Sequence, residues 1–253
     1  TIQNRLGADI IMCFDECTPY PCPPNQLEKA VERTIRWAEM CRQAHRNPKQ
    51  MLFGIVQGGT HLPLRRRCTE ALTAMDFDGY AIGGLSVGEG HEAMMETTSF
   101  TAPLLPPERP RYLMGVGMPA DIVAAVREGI DLFDCVLPSR NGRNAFAFTE
   151  NGPIRLRNSR WAQDPEPIEK DCSCPACQTF PRAAIRHFFN VGEMLGPILA
   201  TIHNLTYYQR LMNRIRQTIR DGLFEEWSRL FIEKHKKETQ MDLLESQERK
   251  ECS

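Results

Sequence analysis

The stretch "LFGIVQGG" at residues 52–59 is apolar through its first five positions, shows no polar alternation, and ends on a glutamine and two glycines. A short run that is apolar on both faces fits a strand covered on both sides, which is the condition of a parallel sheet wrapped by helices. Four other segments have the same form: "IIMCFDE" at 10–16, "GYAIGGL" at 79–85, "RYLMGVG" at 111–117 and "DLFDCVL" at 131–137. Helical stretches lie between them. "NQLEKAVERTIRWAEMCRQAH" begins at Asn25, a candidate cap with Glu28 three residues on as in a capping box, and Leu27, Val31, Ala38 and Cys41 line one face. "LPLRRRCTEALTAM", "HEAMMETTSF" and "PADIVAAVREG" also read as helices, the last opening on a proline and closing at Gly129. The order βαβαβαβαβ predicts an α/β fold with a parallel sheet.

The residues that end these strands are of one kind. Asp15 and Glu16 follow the first, Gln57 the second, Gly83 and Gly84 the third, Gly115 and Gly117 the fourth, and Asp134 sits near the end of the fifth. In a parallel barrel the carboxyl ends of the strands converge on the active site, and different strands supply different groups. A closed barrel needs eight strands, so five fit either an open, doubly wound sheet or a barrel whose first three strands precede this chain. "TIQNRLGAD" at the start reads as the tail of a helix already under way, which favours the second arrangement.

Composition bounds the partners. The 253 residues are 42% hydrophobic and 25% charged, and 31 Lys and Arg against 32 Asp and Glu give a net charge of -1. Nucleic-acid binding must therefore come from a local basic patch. No apolar run approaches the roughly 20 residues of a membrane helix, and there is no signal-peptide pattern, so the chain reads as cytoplasmic. Cys13, Cys17, Cys22, Cys41, Cys68, Cys135 and Cys252 are scattered singly and read as reduced thiols.

After Asp134 comes "PSRNGRNAFAFTENGPIRLRNSRW", a basic loop followed by two short strands joined at "ENG". Arg140, Arg143, Arg155, Arg157 and Arg160 make it the densest basic segment, and Arg140 and Arg143 lie just beyond what reads as a buried carboxylate, where they could hold phosphates. "CSCPACQ" at 172–178 then supplies three thiolates, Cys172, Cys174 and Cys177. Zinc takes four sulfur or nitrogen ligands in a tetrahedron, so a fourth is required, and His187 and His203 are both candidates on downstream helices. With four protein ligands no position stays open for water, and the metal is structural.

Together, "FDECTPYP", "GIVQGG", "GGLSVGE", "YLMGVG", "FDCVLPSRNGR" and "CSCPAC", with "IHN" downstream, resemble the tRNA-guanine transglycosylases, specifically the bacterial queuine-pathway branch. The resemblance implies a TIM-type (β/α)8 barrel lacking its first three strands, with an inserted zinc-binding subdomain. Residues 1–144 would be the last five strands with their helices, 145–205 the hairpin and zinc subdomain, 206–235 a helical segment packed on the barrel, and 236–253 a charged tail. It implies exchange of guanine at the anticodon wobble position of tRNA for the 7-aminomethyl-7-deazaguanine precursor of queuosine, in a homodimer carrying one structural zinc per chain. Asp134 would be the nucleophile, forming a covalent tRNA-enzyme intermediate by the double displacement that retaining glycosidases use. Asp15, Gln57, Gly84 and Met114 would bind the base. Gly115, Val116, Gly117, Met118, Pro119, Ala120 and Asp121 would contact RNA in one loop, and Ser139, Arg140, Asn141, Gly142 and Arg143 in another. The zinc ligands would be Cys172, Cys174, Cys177 and His203. Cys17 and Val87 match the bacterial branch, and Val87 would narrow the pocket against the bulkier queuine. The family's proton-transfer aspartate lies on an earlier strand with no counterpart here, so the isolated chain is expected to be inactive. A noncatalytic zinc-bearing RNA-binding subunit and an archaeal-type transglycosylase are the alternatives, and the intact "FDCVLPSR" around Asp134 argues against the first.

Overall fold

The computed structural model describes residues 2–235; the charged tail expected over 236–253 lies outside them. The chain divides into two compact units, one formed by the chain up to Gly117 with Ala124–Cys135, the other by Met118–Val123 and the chain from Val136 onward.

The first unit carries a five-stranded parallel sheet of β1 (Ile10–Met12), β2 (Met51–Val56), β3 (Gly79–Ile82), β4 (Arg111–Leu113) and β5 (Leu132–Phe133). The strands lie in sequence order, with Ile10 opposite Met51, Phe53 opposite Gly79, Tyr80 opposite Arg111 and Tyr112 opposite Leu132. A doubly wound sheet reverses its strand order at a switch point, and among the described strands there is no reversal. The helices are α1 (Ile2–Leu6), α2 (Pro24–Ala44), α3 (Leu62–Thr73) and α4 (His91–Thr101), while α5 (Pro119–Arg127) is shared, its residues up to Val123 belonging to the second unit. Phe53, Val56, Ala81, Ile82 and Leu113 are wholly buried, as strands covered on both faces require. Each of the four larger side chains, Phe53, Val56, Ile82 and Leu113, contributes about 1.5–3 kcal/mol on removal from water.

One helix start differs from the sequence reading. α2 begins at Pro24 with Pro23 before it, and no side chain caps it. The paired prolines supply the fixed φ of a first turn, so Asn25 falls inside the helix and no capping box forms. Glu28 instead reaches Arg67 of α3 at 3.1 Å.

The second unit contains α6 (Leu137–Arg143), the antiparallel pair β6 (Phe146–Ala147) and β7 (Ile154–Arg155), then α7 (Pro175–Thr179), α8 (Arg182–Asn190) and α9 (Leu195–Arg220). Residues 224–235 are also helical. The predicted hairpin is present, its turn closed by Gly152 N–H donating to Thr149 O at 3.1 Å. Its core gathers Ala145, Ala147, Leu156, Ile168, Ile185, Phe189 and Leu199 around the cysteines. No helix among the described residues is long and apolar enough to cross a membrane.

Candidate active site and metal centre

The carboxyl ends of β2, β3 and β4 bring together the groups that the sequence singled out. Gln57, which follows β2, is 2% exposed and donates from Nε2 to Asp15 Oδ2 at 2.6 Å. Asp15 follows β1, so neighbouring strands deliver an amide and a carboxylate to one point. Gly84 follows β3 at φ +65°, a left-handed conformation in which a side chain is strained, and a Cβ there would lie 2.2 Å from Gln57 Oε1. Above the preceding Gly83, a methyl group would meet Gln57 Nε2 at 2.9 Å and Met114 Sδ at 3.5 Å. Carboxylate, amide, glycine backbone and thioether thus stand as neighbours at the strand ends. They offer acceptors, a donor and a soft apolar surface, the set that a purine edge and face require.

Gly84→Ala must displace the Gln57 side chain as well as strain the backbone, so it is expected to destabilise the β1–β5 unit by about 1–3 kcal/mol. Denaturant unfolding measures this, and an unchanged midpoint would show that Gly84 is not packed against Gln57.

Asp134 follows β5. Its Oδ1 accepts from the Tyr112 hydroxyl at 2.6 Å and from Gly115 N–H at 2.8 Å. The sequence reading expected a buried carboxylate, and the structure corrects it: Asp134 is exposed, because β5 ends at Phe133 and the chain leaves the sheet there. Orientation is supplied by the two donors of β4 and its following turn. The Tyr112 hydroxyl is raised above its ordinary value, by burial first and then by its hydrogen bond to the carboxylate, so it stays a donor at neutral pH.

Two residues in this unit carry weight that the sequence reading did not give them. Tyr112 is one, and period two along "RYLM" puts it on the same face as Met114. The other is Arg65, fully buried in α3, which donates to Gly59 O at 2.7 Å, Val56 O at 2.9 Å and Gly84 O at 3.4 Å. Its guanidinium ties the end of β2 to the glycine that follows β3. Burial lowers its pKa to about 10, still protonated at neutral pH. It was legible in principle, since it shares a helical face with Cys68 and Leu72 at i, i+3 and i+7. Cys17 and Val87 are both exposed, and Val87 N–H donates to Glu89 Oε2 at 2.9 Å.

The segment 115–121 turns after β4: Val116, Gly117 and Pro119 are buried, Gly115 and Met118 exposed, and Pro119, Ala120 and Asp121 form the first turn of α5. The second expected loop is a helix. Ser139, Arg140, Asn141, Gly142 and Arg143 all lie in α6, with Pro138 in its first turn, and both arginines are exposed. Gly142 is buried against α9, where a Cβ would lie 2.5 Å from Thr201 Oγ1 and 2.8 Å from Thr201 Cα. Only a glycine lets the two helices approach so closely. Asn204, wholly buried in α9, donates from Nδ2 to Pro138 O at 3.0 Å and Phe146 O at 2.9 Å and accepts from Phe148 N–H at 3.0 Å. One amide thus fastens α6, β6 and α9 together.

Beside Asn204 stands the metal centre. Cys172, Cys174, Cys177 and His203 are buried, and their ligand atoms lie within 4.8 Å of one another. His203 Nδ1 is 3.6 Å from Cys172 Sγ, 3.8 Å from Cys174 Sγ and 3.3 Å from Cys177 Sγ. Bonds of about 2.3 Å to sulfur and 2.0–2.1 Å to nitrogen at tetrahedral angles put the two elements about 3.6 Å apart, so the four groups fit a tetrahedral cation. His203 Nε2 faces Phe148 O at 2.8 Å, which fixes the tautomer that presents Nδ1 to a metal. His187, the other candidate, is exposed on α8.

Residues 1–237 match the family model described as Queuine tRNA-ribosyltransferase. Among curated relatives of that name, the protein of Nitrosomonas europaea is 52% identical over 91% of this chain and 62% of its own length. That of Symbiobacterium thermophilum is 51% identical over 92% and 58%, and that of Zymomonas mobilis 48% over 91% and 61%. The chain spans about three fifths of the length of the curated relatives it matches.

Proposed function

Because this chain belongs to the queuine tRNA-ribosyltransferase family, we propose that it carries the nucleophile and the base pocket of a tRNA-guanine transglycosylase. The observation that carries the reading is Asp134, an exposed carboxylate at the carboxyl end of a parallel sheet, oriented on Oδ1 by Tyr112 and Gly115. Its oxygen attacks the ribose anomeric carbon of the wobble guanosine. The glycosidic C–N bond breaks, and guanine leaves, taking a proton at the nitrogen that bonded the sugar from the proton-transfer aspartate that the family carries on an earlier strand. The corresponding nitrogen of 7-aminomethyl-7-deazaguanine gives its proton to that aspartate and attacks the same carbon, and the aspartyl ester bond breaks. Two inversions preserve the configuration.

Asp15, Gln57, Gly84 and Met114 hold guanine and the incoming base in turn. The carboxylate accepts from the base's N–H edge, the amide reads its carbonyl, and the thioether packs on its face. The strands β1–β5 are the last five of a (β/α)8 barrel. Zinc is held by Cys172, Cys174, Cys177 and His203, and a full set of protein ligands makes its contribution one of folding. The 115–121 segment and the α6 residues 139–143 contact the anticodon arm, and the protein works as a cytoplasmic homodimer.

The test replaces the matching portion of the Nitrosomonas europaea relative with this chain and supplies tRNA labelled in its wobble guanine. Label is expected to leave the tRNA when the aminomethyl base is added. Full retention of label, with the unaltered relative active in parallel, would overturn the reading.

A further inference from the structure

We propose that Arg155, Arg157 and Arg160 form a preassembled platform for the sugar-phosphate backbone of RNA, on an element distinct from the Arg140 and Arg143 helix. The inference rests on the reading of this chain as acting on tRNA.

Residues 137–161 hold five arginines and one acid, Glu150. Glu150 is already engaged by Arg210 at 3.3 Å. Arg33, Arg67, Arg109, Arg182, Arg210 and Arg229 each pair with a carboxylate. Arg155, Arg157 and Arg160 have no such partner among the described residues and are exposed. A solvated surface would leave such side chains to wander. Here each is seated on an aromatic ring: Arg155 over Phe146 at 5.7 Å, Arg157 over Phe189 at 5.6 Å and Arg160 over Trp161 at 4.3 Å.

The local fold gathers the three. β7 ends at Arg155, and Leu156 and Arg157 form the turn after it, with Leu156 wholly buried and the arginine on either side of it exposed. Beyond them the chain turns back: Asn158 Oδ1 accepts from Arg160 N–H at 3.2 Å, and Trp161 Nε1 donates to Arg155 O at 3.0 Å. The turn returns Trp161 to Arg155 and carries Arg160 with it. Arg182, ion-paired with Asp164 at 3.1 Å, stacks on Trp161 at 4.4 Å and steadies the ring.

A guanidinium lying on a ring keeps its N–H edge free for bidentate contact with a phosphate, and the rotamer entropy of holding it is already spent. Three ordered, unneutralised cations with aromatic support fit a polyanionic backbone, and no carboxylate on the platform competes with it. An acidic protein surface is the other polyanion that could engage it, and RNA is favoured because this chain's family acts on tRNA.

The experiment measures tRNA binding by fluorescence anisotropy from 50 to 200 mM salt for the zinc-loaded chain. The triple variant Arg155→Gln/Arg157→Gln/Arg160→Gln is expected to bind at least tenfold more weakly at low salt. Its slope of log K against log salt should be shallower by about 2, at roughly 0.7–0.9 per phosphate contact. The triple lysine variant, which keeps the charge, should retain the slope, and equal zinc content should show that both variants fold. If the glutamine variant keeps the wild-type affinity and slope, or loses only self-association, the platform is not an RNA surface. If the unaltered chain binds no tRNA at any salt, the reading of the chain as tRNA-acting fails first.

Discussion

Chelation of the metal is expected to abolish the cooperative unfolding of the unit from Val136 onward while the β1–β5 unit keeps its own transition. Cys172 and His203 are wholly buried, and Cys174 and Cys177 are 2% and 8% exposed. Without a cation these polar groups would face one another in a core built of alanine, leucine, isoleucine and phenylalanine side chains. Structural zinc contributes on the order of 10 kcal/mol of apparent stability, comparable with the whole stability of a domain. The same residues anchor three elements, since Cys177 lies in α7, His203 in α9, and His203 faces the carbonyl of Phe148 just after β6. Calorimetry before and after chelation, with zinc restored in a third scan, should show one transition lost and regained. An unchanged trace, or purified protein free of metal, would contradict the assignment.

Asp134→Asn is expected to lower base exchange by on the order of 10⁴-fold or more, the scale for removing a nucleophile that works as part of a unit. Asparagine keeps nearly the shape, and its carbonyl oxygen can still accept from Tyr112 and Gly115, but it lacks the charge that attacks the anomeric carbon. Affinity for tRNA should change by less than threefold, since no phosphate contact is altered. The measurement is single-turnover exchange beside anisotropy. A variant that exchanges at near the normal rate would assign the chemistry to another group.

How far the sequence spoke can be read from particular residues. The five strands were visible because burial on both faces leaves an unbroken apolar run, although β4 shortens to Arg111–Leu113 ahead of Gly115 at φ +74° and β5 to Leu132–Phe133 ahead of Asp134. The order of groups at the strand ends was visible for the same reason, since a strand's carboxyl end is fixed once the strand is. Helix α6 was not visible. Pro138, Asn141 and Gly142 are loop-forming residues, and they are helical here because Asn204, 66 residues away from Pro138, and Thr201 hold them from α9. Local propensity carries no record of such a partner. Asp134 looked buried because apolar neighbours surround it in sequence, yet the strand stops one residue before it. The three thiols were evident from spacing, while the choice of His203 over His187 needed the family resemblance, because both lie on helices of similar pattern.

The central claim is that Asp134 bonds to the ribose. Its most direct test is peptide mass mapping of the adduct trapped when the chimeric protein is denatured in the presence of tRNA and no incoming base. After nuclease digestion, the account predicts a ribose-linked remnant on the peptide containing Asp134, and no adduct from Asp134→Asn. A remnant on any other residue, or an adduct of equal yield from the variant, would contradict it.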